Sequence, residues 1–465
     1  MALPFRRFVL AGISMVLATA AVTPRADAVT VNATEHQPIA FVAVQGACCG
    51  NGSVVAVSPY DGTVEATIPV GGTPTAVAIT PDATTALVAN TFGYVSVIDT
   101  SSFAQRNPIS VCRFASSIAI TPDGRTVAVT CSNDSTLELI DLLTGTVATP
   151  IVVGTYPSFP SSVAISPDGS TAYVVDFNGQ SPFTSTRGDV VPVSIATGSV
   201  GSTIHLSGIE AVGAAITPDG HRLLVGVWGN CCSSAVDVID TGTNAVIAVL
   251  PAPSGPTSFA ITADGSIAYV SCRIGNAILP IGLDRSDAPP PRLGIDTAGV
   301  AVTPDATTLL SAGYGGLDIL DALSLHDVGF APTDTRAVAV AVTPDQAPQA
   351  SLSIATRRNK KVTLDASGSF APSTPIMTYA WDFGDGTTSV TTSGTVTHKY
   401  RSHRRYTATV TLTDAAGTSL EQSFTGQTAS RNGGPSASVS TLVDLRHEKK
   451  PPPQRTVTPQ RTGQW

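Results

Sequence analysis

Apolar residues between positions 39 and 343 fall in short runs, broken every few residues by Gly, Pro, Asp, Ser or Thr. Runs of that length bounded by turn-forming residues predict strands rather than helices. One phrase keeps returning: an apolar run, then Thr or Ser, then Pro-Asp, then Gly or Ala. Its copies begin at Thr80, Thr121, Ser166, Thr217, Thr262, Thr303 and Thr343, with Ala263 in place of Pro in the fifth and Gln346 in the last place of the seventh. Each unit divides into four strand-like runs. The first ends at the phrase itself, as in 75–80. The Pro-Asp pair predicts a type I turn, since Pro presets φ at its first corner. A second run follows (86–90, 172–175), then an alternating third (95–99, 236–240) and a fourth (64–68, 245–249).

A period of 40 to 51 residues with four strands per unit is the signature of propeller blades. The residue two before each Thr or Ser is Ala in every copy: Ala78, Ala119, Ala164, Ala215, Ala260, Ala301 and Ala341. Small side chains are what the innermost strands of a propeller require where neighbouring sheets crowd together. Before the first full unit stand three further runs (39–44, 54–58, 64–70), and after the last phrase none follow. The two ends therefore complement each other, and the expected architecture is all-β: a seven-bladed β-propeller over 29–345, its last blade closed by N- and C-terminal strands. The phrases Leu87-Val88-Ala89-Asn90, 95–100 and 66–71 resemble the YVTN family of propeller repeats, over roughly 38–345. That resemblance implies the fold and no single activity. The sixth repeat departs from it, interrupted by Pro280 and 289–291.

Beyond Pro344-Asp345 the pattern changes to strand-like runs at 351–355, 361–365, 377–383, 396–400 and 406–413. Trp381-Asp382-Phe383-Gly384-Asp385-Gly386, with His398-Lys399-Tyr400 and 406–414, resembles the PKD domain and implies a PKD/Ig-like β-sandwich over 346–426. Trp381 and Phe383 are expected in its core, with Asp385-Gly386 at a hairpin turn. The sequence differs from that family at Arg404-Arg405-Tyr406, where Gly usually precedes the Tyr. Arg357, Arg358, Lys360, Lys361, Arg401, Arg404 and Arg405 offer a basic face. Residues 427–465, rich in Gly, Ser, Thr and Pro, are expected to form a disordered basic tail.

Residues 1–28 read as an export signal: Arg6-Arg7, an apolar stretch from Phe8 to Val22, and Ala26-Asp27-Ala28 at the cleavage point. Arg6-Arg7-Phe8-Val9-Leu10 also resembles a twin-arginine signal, so either export route stays open. The expected location is secreted, extracellular or attached to the cell envelope, with no membrane insertion after cleavage. Residues 29–349 hold 9 Arg, no Lys and 26 Asp and Glu, a balance of 9 − 26 = −17, whereas 350–465 hold 14 basic and 7 acidic residues, +7. An acidic body disfavours nucleic acid as a partner.

Seven Cys in an exported chain predict disulfides. Cys112 and Cys131 flank one hairpin and are expected to bridge. Cys272 could meet Cys231 or Cys232. Cys48 and Cys49 allow either a vicinal disulfide or free thiols. No catalytic, phosphate-binding or metal-binding motif stands out, and His36, His205, His221 and His326 do not recur at matching positions. No cofactor or metal is expected. Candidate ligand-binding residues lie in the connections after second strands, on one face: Asn90, Phe92, Asn133, Asp134, Phe177, Arg187, Trp228, Arg273 and Tyr314. Exposed aromatics among polar groups suit an extracellular protein or polysaccharide. The expectation is thus a binding or scaffold protein and no enzyme, similar in architecture to archaeal surface-layer proteins. The alternative is a propeller hydrolase or lyase resembling a lactonase.

Overall fold

The structure, a computed structural model, describes residues 37–46, 51–154, 158–177, 187–229, 233–284 and 287–446. The described chain is all-β. Among the described residues the sole helical turn is Pro435–Ala437, and none of their helices is long and apolar enough to cross a membrane. The expectations placed on residues 1–28, Cys48, Cys49, Cys231, Cys232 and 447–465 lie outside the described residues.

The repeat units become antiparallel sheets with strands in chain order. The first full unit pairs Pro74–Ile79, Thr85–Asn90, Tyr94–Asp99 and Gln105–Ser110. The next four are led by Ala115–Ile120, Pro160–Ile165, Glu210–Ile216 and Pro256–Ile261. A six-stranded sheet follows: Gly299–Val302, Thr308–Asp321, Asp327–Val342, then Ala40–Val44, Ser53–Val57 and Val64–Pro69. Asp327–Val342 serves two partners. Residues 327–336 pair with 314–320, while 337–342 pair with Ala40–Val44. The front and back of the repeat region therefore share a sheet, as their sequences imply.

The leading strand of each sheet packs against that of the next, from Pro74–Ile79 through to Gly299–Val302. Gly299–Val302 and Pro74–Ile79 both pack on Asp327–Val342, so the order of neighbours returns to its start. Every Ala of the repeated column is buried. Hydroxyls join one leading strand sideways to the next. Thr75 donates to the Ala115 carbonyl (2.8 Å), Ser116 to that of Pro160 (2.6 Å) and Ser161 to that of Ala211 (2.9 Å). At the next junction Gly213, with φ of 115°, brings its backbone against the Thr257 carbonyl, where a Cβ would collide.

The recurring Asp closes its turn in six copies. Thr80 donates to Asp82 at 2.6 Å, and Asp82 accepts the Thr84 amide. Thr121, Ser166, Thr217, Thr262 and Thr303 repeat the hydroxyl bond. In the seventh copy Thr343 instead accepts the Ile39 amide at 2.9 Å. Its Asp345 turns inward and is fully buried.

The C-terminal region packs two sheets face to face. One holds Ser353–Arg358, Lys361–Asp365 and Thr395–Lys399; the other holds Thr388–Thr391, Ile376–Asp382, Arg405–Asp414 and Ser438–Asp444. Trp381 and Phe383 are buried between them, as expected. His398 stacks on Phe383 (4.0 Å between ring centres) and bonds Asp385 at 2.8 Å. The expected boundary at 426 and disordered tail from 427 are corrected. Ala429–Asn432 and Ser438–Asp444 are strands, and the second completes a sheet edge beside Arg405–Asp414.

Asp345 lies where the repeat region meets this domain, beside Asp414. Burial, then the charge of Asp345, pushes Asp414 up to about 8, and burial likewise raises Asp345. Both carboxyls bind a proton more tightly folded than unfolded. The stability they support is complete below the ordinary carboxyl range and is lost as pH rises toward 8. Melting temperature measured by calorimetry should fall from pH 4 to pH 8.5. Asp414→Asn should flatten that slope and raise the value at pH 8 by a few degrees; an unchanged slope would remove the pair as its cause.

Candidate functional site

A hairpin of the C-terminal domain reaches into the space between the leading strands. Asp345–Gln346 runs parallel to Ala429–Asn432, which pairs with Ser423–Phe424. The hairpin tip, 425–428, satisfies backbone amides on the exposed edges of those strands. Ile216 donates to the Thr425 carbonyl (3.1 Å), Ile165 to that of Gly426 (2.7 Å) and Ile120 to that of Gln427 (3.1 Å). Ile79 donates to the Thr428 hydroxyl at 3.1 Å. Around the tip, side chains reach the turn carbonyls of several units: Gln346 to Pro81, Gln422 to Pro122, Ser423 to Ala263 and Arg431 to Pro304. The domain thus covers the face carrying the Thr-Pro-Asp turns. The Ala column makes room: a Cβ on Gly426 would stand 3.0 Å from that of Ala164.

Beyond the tip lies a cavity of about 280 Å³ lined by all the leading strands, with Gln427 at one end and Gln45 and Arg273 toward the other. Its polar lining is mainly hydroxyl, from Thr75, Ser116, Ser117, Ser161, Ser162, Thr257 and Ser258. The Arg273 guanidinium is made less basic, first by burial and then by Arg336, with Asp296 opposing.

The predicted residues divide on this face. Phe92, Asn133, Asp134, Arg187, Arg273 and Tyr314 are exposed. Phe177 and Trp228 are half-buried, Trp228 donating its indole N–H to the Pro256 carbonyl at 3.4 Å. Asn90 is a correction. It is fully buried, donates to the Gly71 carbonyl (2.9 Å) and accepts the amides of Thr73 (3.1 Å) and Phe92 (3.0 Å). Its amide ties two loops together, and its full burial keeps it out of a ligand's reach.

Cys112 and Cys131 form the expected disulfide, their Cα atoms 5.9 Å apart. Glu138 accepts the Cys112 amide at 3.2 Å and is raised chiefly by burial. With both sulfurs oxidised, this group offers a single carboxylate and no metal centre. Cys272 corrects its expected pairing. It is unbridged and buried among Ala215, Leu224, Val236 and Val270, and burial pushes its thiol up to about 12.

Phe330, Asp318 and Asp296 were not singled out from sequence, although they line one groove with Tyr314. Thr308–Asp321 folds back on itself, since the Ala322 amide meets the Thr307 carbonyl at 2.9 Å. Gly315 (φ 87°) marks the reversal, which leaves Tyr314 79% exposed at the tip. Only strand pairing sets Phe330 opposite Asp318, so residue type alone carries no signal for the groove.

Residues 345–428 match the family model of the PKD domain, a domain typical of extracellular or surface proteins. The comparison with curated protein sequences gives no match. Among solved structures, the chain is similar to hydrazine synthase of Kuenenia stuttgartiensis, with 24% identity, 58% of this chain and 90% of that chain covered, and a TM-score of 0.52. It is also similar to a functionally unknown protein from Desulfotomaculum acetoxidans DSM 771, with 14% identity, 65% and 98% covered, and a TM-score of 0.53. Both are propeller-like, and at these identities the likeness is one of fold.

Two outcomes follow from this geometry. Cys112→Ser should lower unfolding free energy by about 2–4 kcal/mol in denaturant titration, and reducing agent should destabilise the native chain but not the variant. Gly426→Val, which adds a branched side chain at φ of 110°, should cost about 1–3 kcal/mol. It should also open 415–437 to limited proteolysis, while protection equal to the native chain's would show that the hairpin tip is not held as described.

Proposed function

We propose that residues 39–343 form a seven-bladed β-propeller and that the protein is a secreted or envelope-associated scaffold that binds a protein or glycan. The propeller reading is supported by the cyclic order of the leading strands and by the sheet shared between the two ends. Binding would use the face that carries Phe92, Asn133, Asp134 and Tyr314. One observation carries this assignment: the C-terminal domain lies on the opposite face and its hairpin tip enters the centre. That leaves the exposed loops and the cavity mouth on one side for a partner. The lining near that mouth, hydroxyls with Gln45 and Arg273, favours recognition over proton transfer, because no carboxylate or imidazole lines it among the described residues.

The test is a screen of the purified mature chain against glycan arrays and extracellular proteins from its host, with hydrogen exchange mapping any complex. Protection concentrated at 91–93, 132–135 and 313–315 is the expected outcome. Protection confined to the sheets of 353–414, or turnover of a lactone or ester substrate by the same preparation, would overturn it.

A further inference from the structure

The groove beside Tyr314 has a more specific chemistry than the face around it. The geometry points to a binding site for one ring of a neutral saccharide, formed by Tyr314, Phe330 and Asp318. This rests on reading the loop face as the binding face and names its ligand class.

The volume is about 570 Å³, within the range of roughly 300–1,000 Å³ usual for small-molecule sites. Phe330 is 51% exposed although its strand is paired. Its ring lies against Gly316, where a Cβ would stand 2.5 Å from the ring Cζ. Glycine beneath the ring lets it lie close to the sheet while leaving ring surface open to solvent. Tyr314 supplies a second exposed aromatic on the preceding hairpin tip, and Val328 adds an apolar edge. Aromatic surfaces of this kind match the C–H faces of a pyranose ring.

The polar groups select what lies between them. Arg292 is committed: it donates to both oxygens of Asp327 at 2.8 Å and to the Leu325 carbonyl. Asp296 accepts the Tyr314 amide at 3.0 Å and faces Arg336 at 3.8 Å. Asp318 is half-buried, opposite Phe330, with no hydrogen-bond donor among the described residues. Burial raises its proton affinity, Asp327 and Asp296 add to this, and Arg292 opposes it. The groove therefore offers a free acceptor and no free cation. A ligand must donate hydrogen bonds and carry no negative charge. Hydroxyl groups meet both conditions while leaving an apolar ring face for Phe330. An ammonium group would also satisfy Asp318 and be drawn to the aromatic faces, so a cationic peptide is the competing ligand that the test must separate from a saccharide.

Calorimetric titration of the full mature chain with cellohexaose, laminarihexaose and chitohexaose tests this. At least one should bind, with Tyr314→Ala and Phe330→Ala each weakening it tenfold or more. Asp318→Asn should weaken it about three- to tenfold, and Tyr314→Phe should retain most of the affinity. Melting temperatures within a degree or two of the native chain's would separate lost binding from lost folding. The inference is overturned if none of the three binds, if the alanine variants bind as well as the native chain, or if a lysine-rich peptide binds in their place. A partner protein that still docks on the loop face of the Tyr314→Ala, Phe330→Ala double variant would leave the broader reading standing and remove this one.

Discussion

Backbone amides on the inner edges of the sheets are the constraint around which this chain is organised. Each leading strand pairs with its own sheet on one side and presents its other edge to the centre. An unpaired edge invites any chain that can add to it, and an amide withheld from water needs an acceptor. Part of that need is met from within, by Gly426, Thr425, Gln427 and Thr428. The C-terminal domain is therefore more than an appendage on a linker: its hairpin tip completes hydrogen bonding that the repeats leave open.

The same crowding explains the small residues. Ala in every leading strand lets the sheets approach, and on one side lets the hairpin tip lie against Ala164. Hydroxyls at Thr75, Ser116 and Ser161 then serve as lateral ties to the next strand. Where the tie is absent, Gly213 permits direct backbone approach. Repetition builds the frame, and each break in it has a local use. The seventh turn gives up its Asp to a buried carboxyl pair at the junction with the C-terminal domain. The sixth unit shortens its hairpin reversal to Tyr314-Gly315 and so raises an aromatic ring into solvent.

The loop face inherits its character from what the other face lacks. With one side taken up by the C-terminal domain, the proposed recognition would fall to residues that differ between units: Phe92, the Asn133-Asp134 pair, Arg273 and Tyr314. Asn90 illustrates how polar residues at such positions can be turned inward, since it is fully buried and makes three hydrogen bonds to adjoining loop backbone. The disulfide of Cys112 and Cys131 fixes a loop next to that surface.

Much of this was legible from residues alone. The period, the four runs per unit, the front and back sharing a sheet, the Cys112–Cys131 bridge and the burial of Trp381 and Phe383 all follow from local chemistry that recurs at fixed spacing. Turn residues and apolar alternation act within a few positions, so they leave a mark in sequence. Three features left none: the reach of 425–428 into the centre, the inward turn of Asp345, and the meeting of Phe330 with Asp318. The first uses mainly main-chain groups that every residue possesses. The others depend on which distant strands come to lie side by side, and only the folded chain decides that.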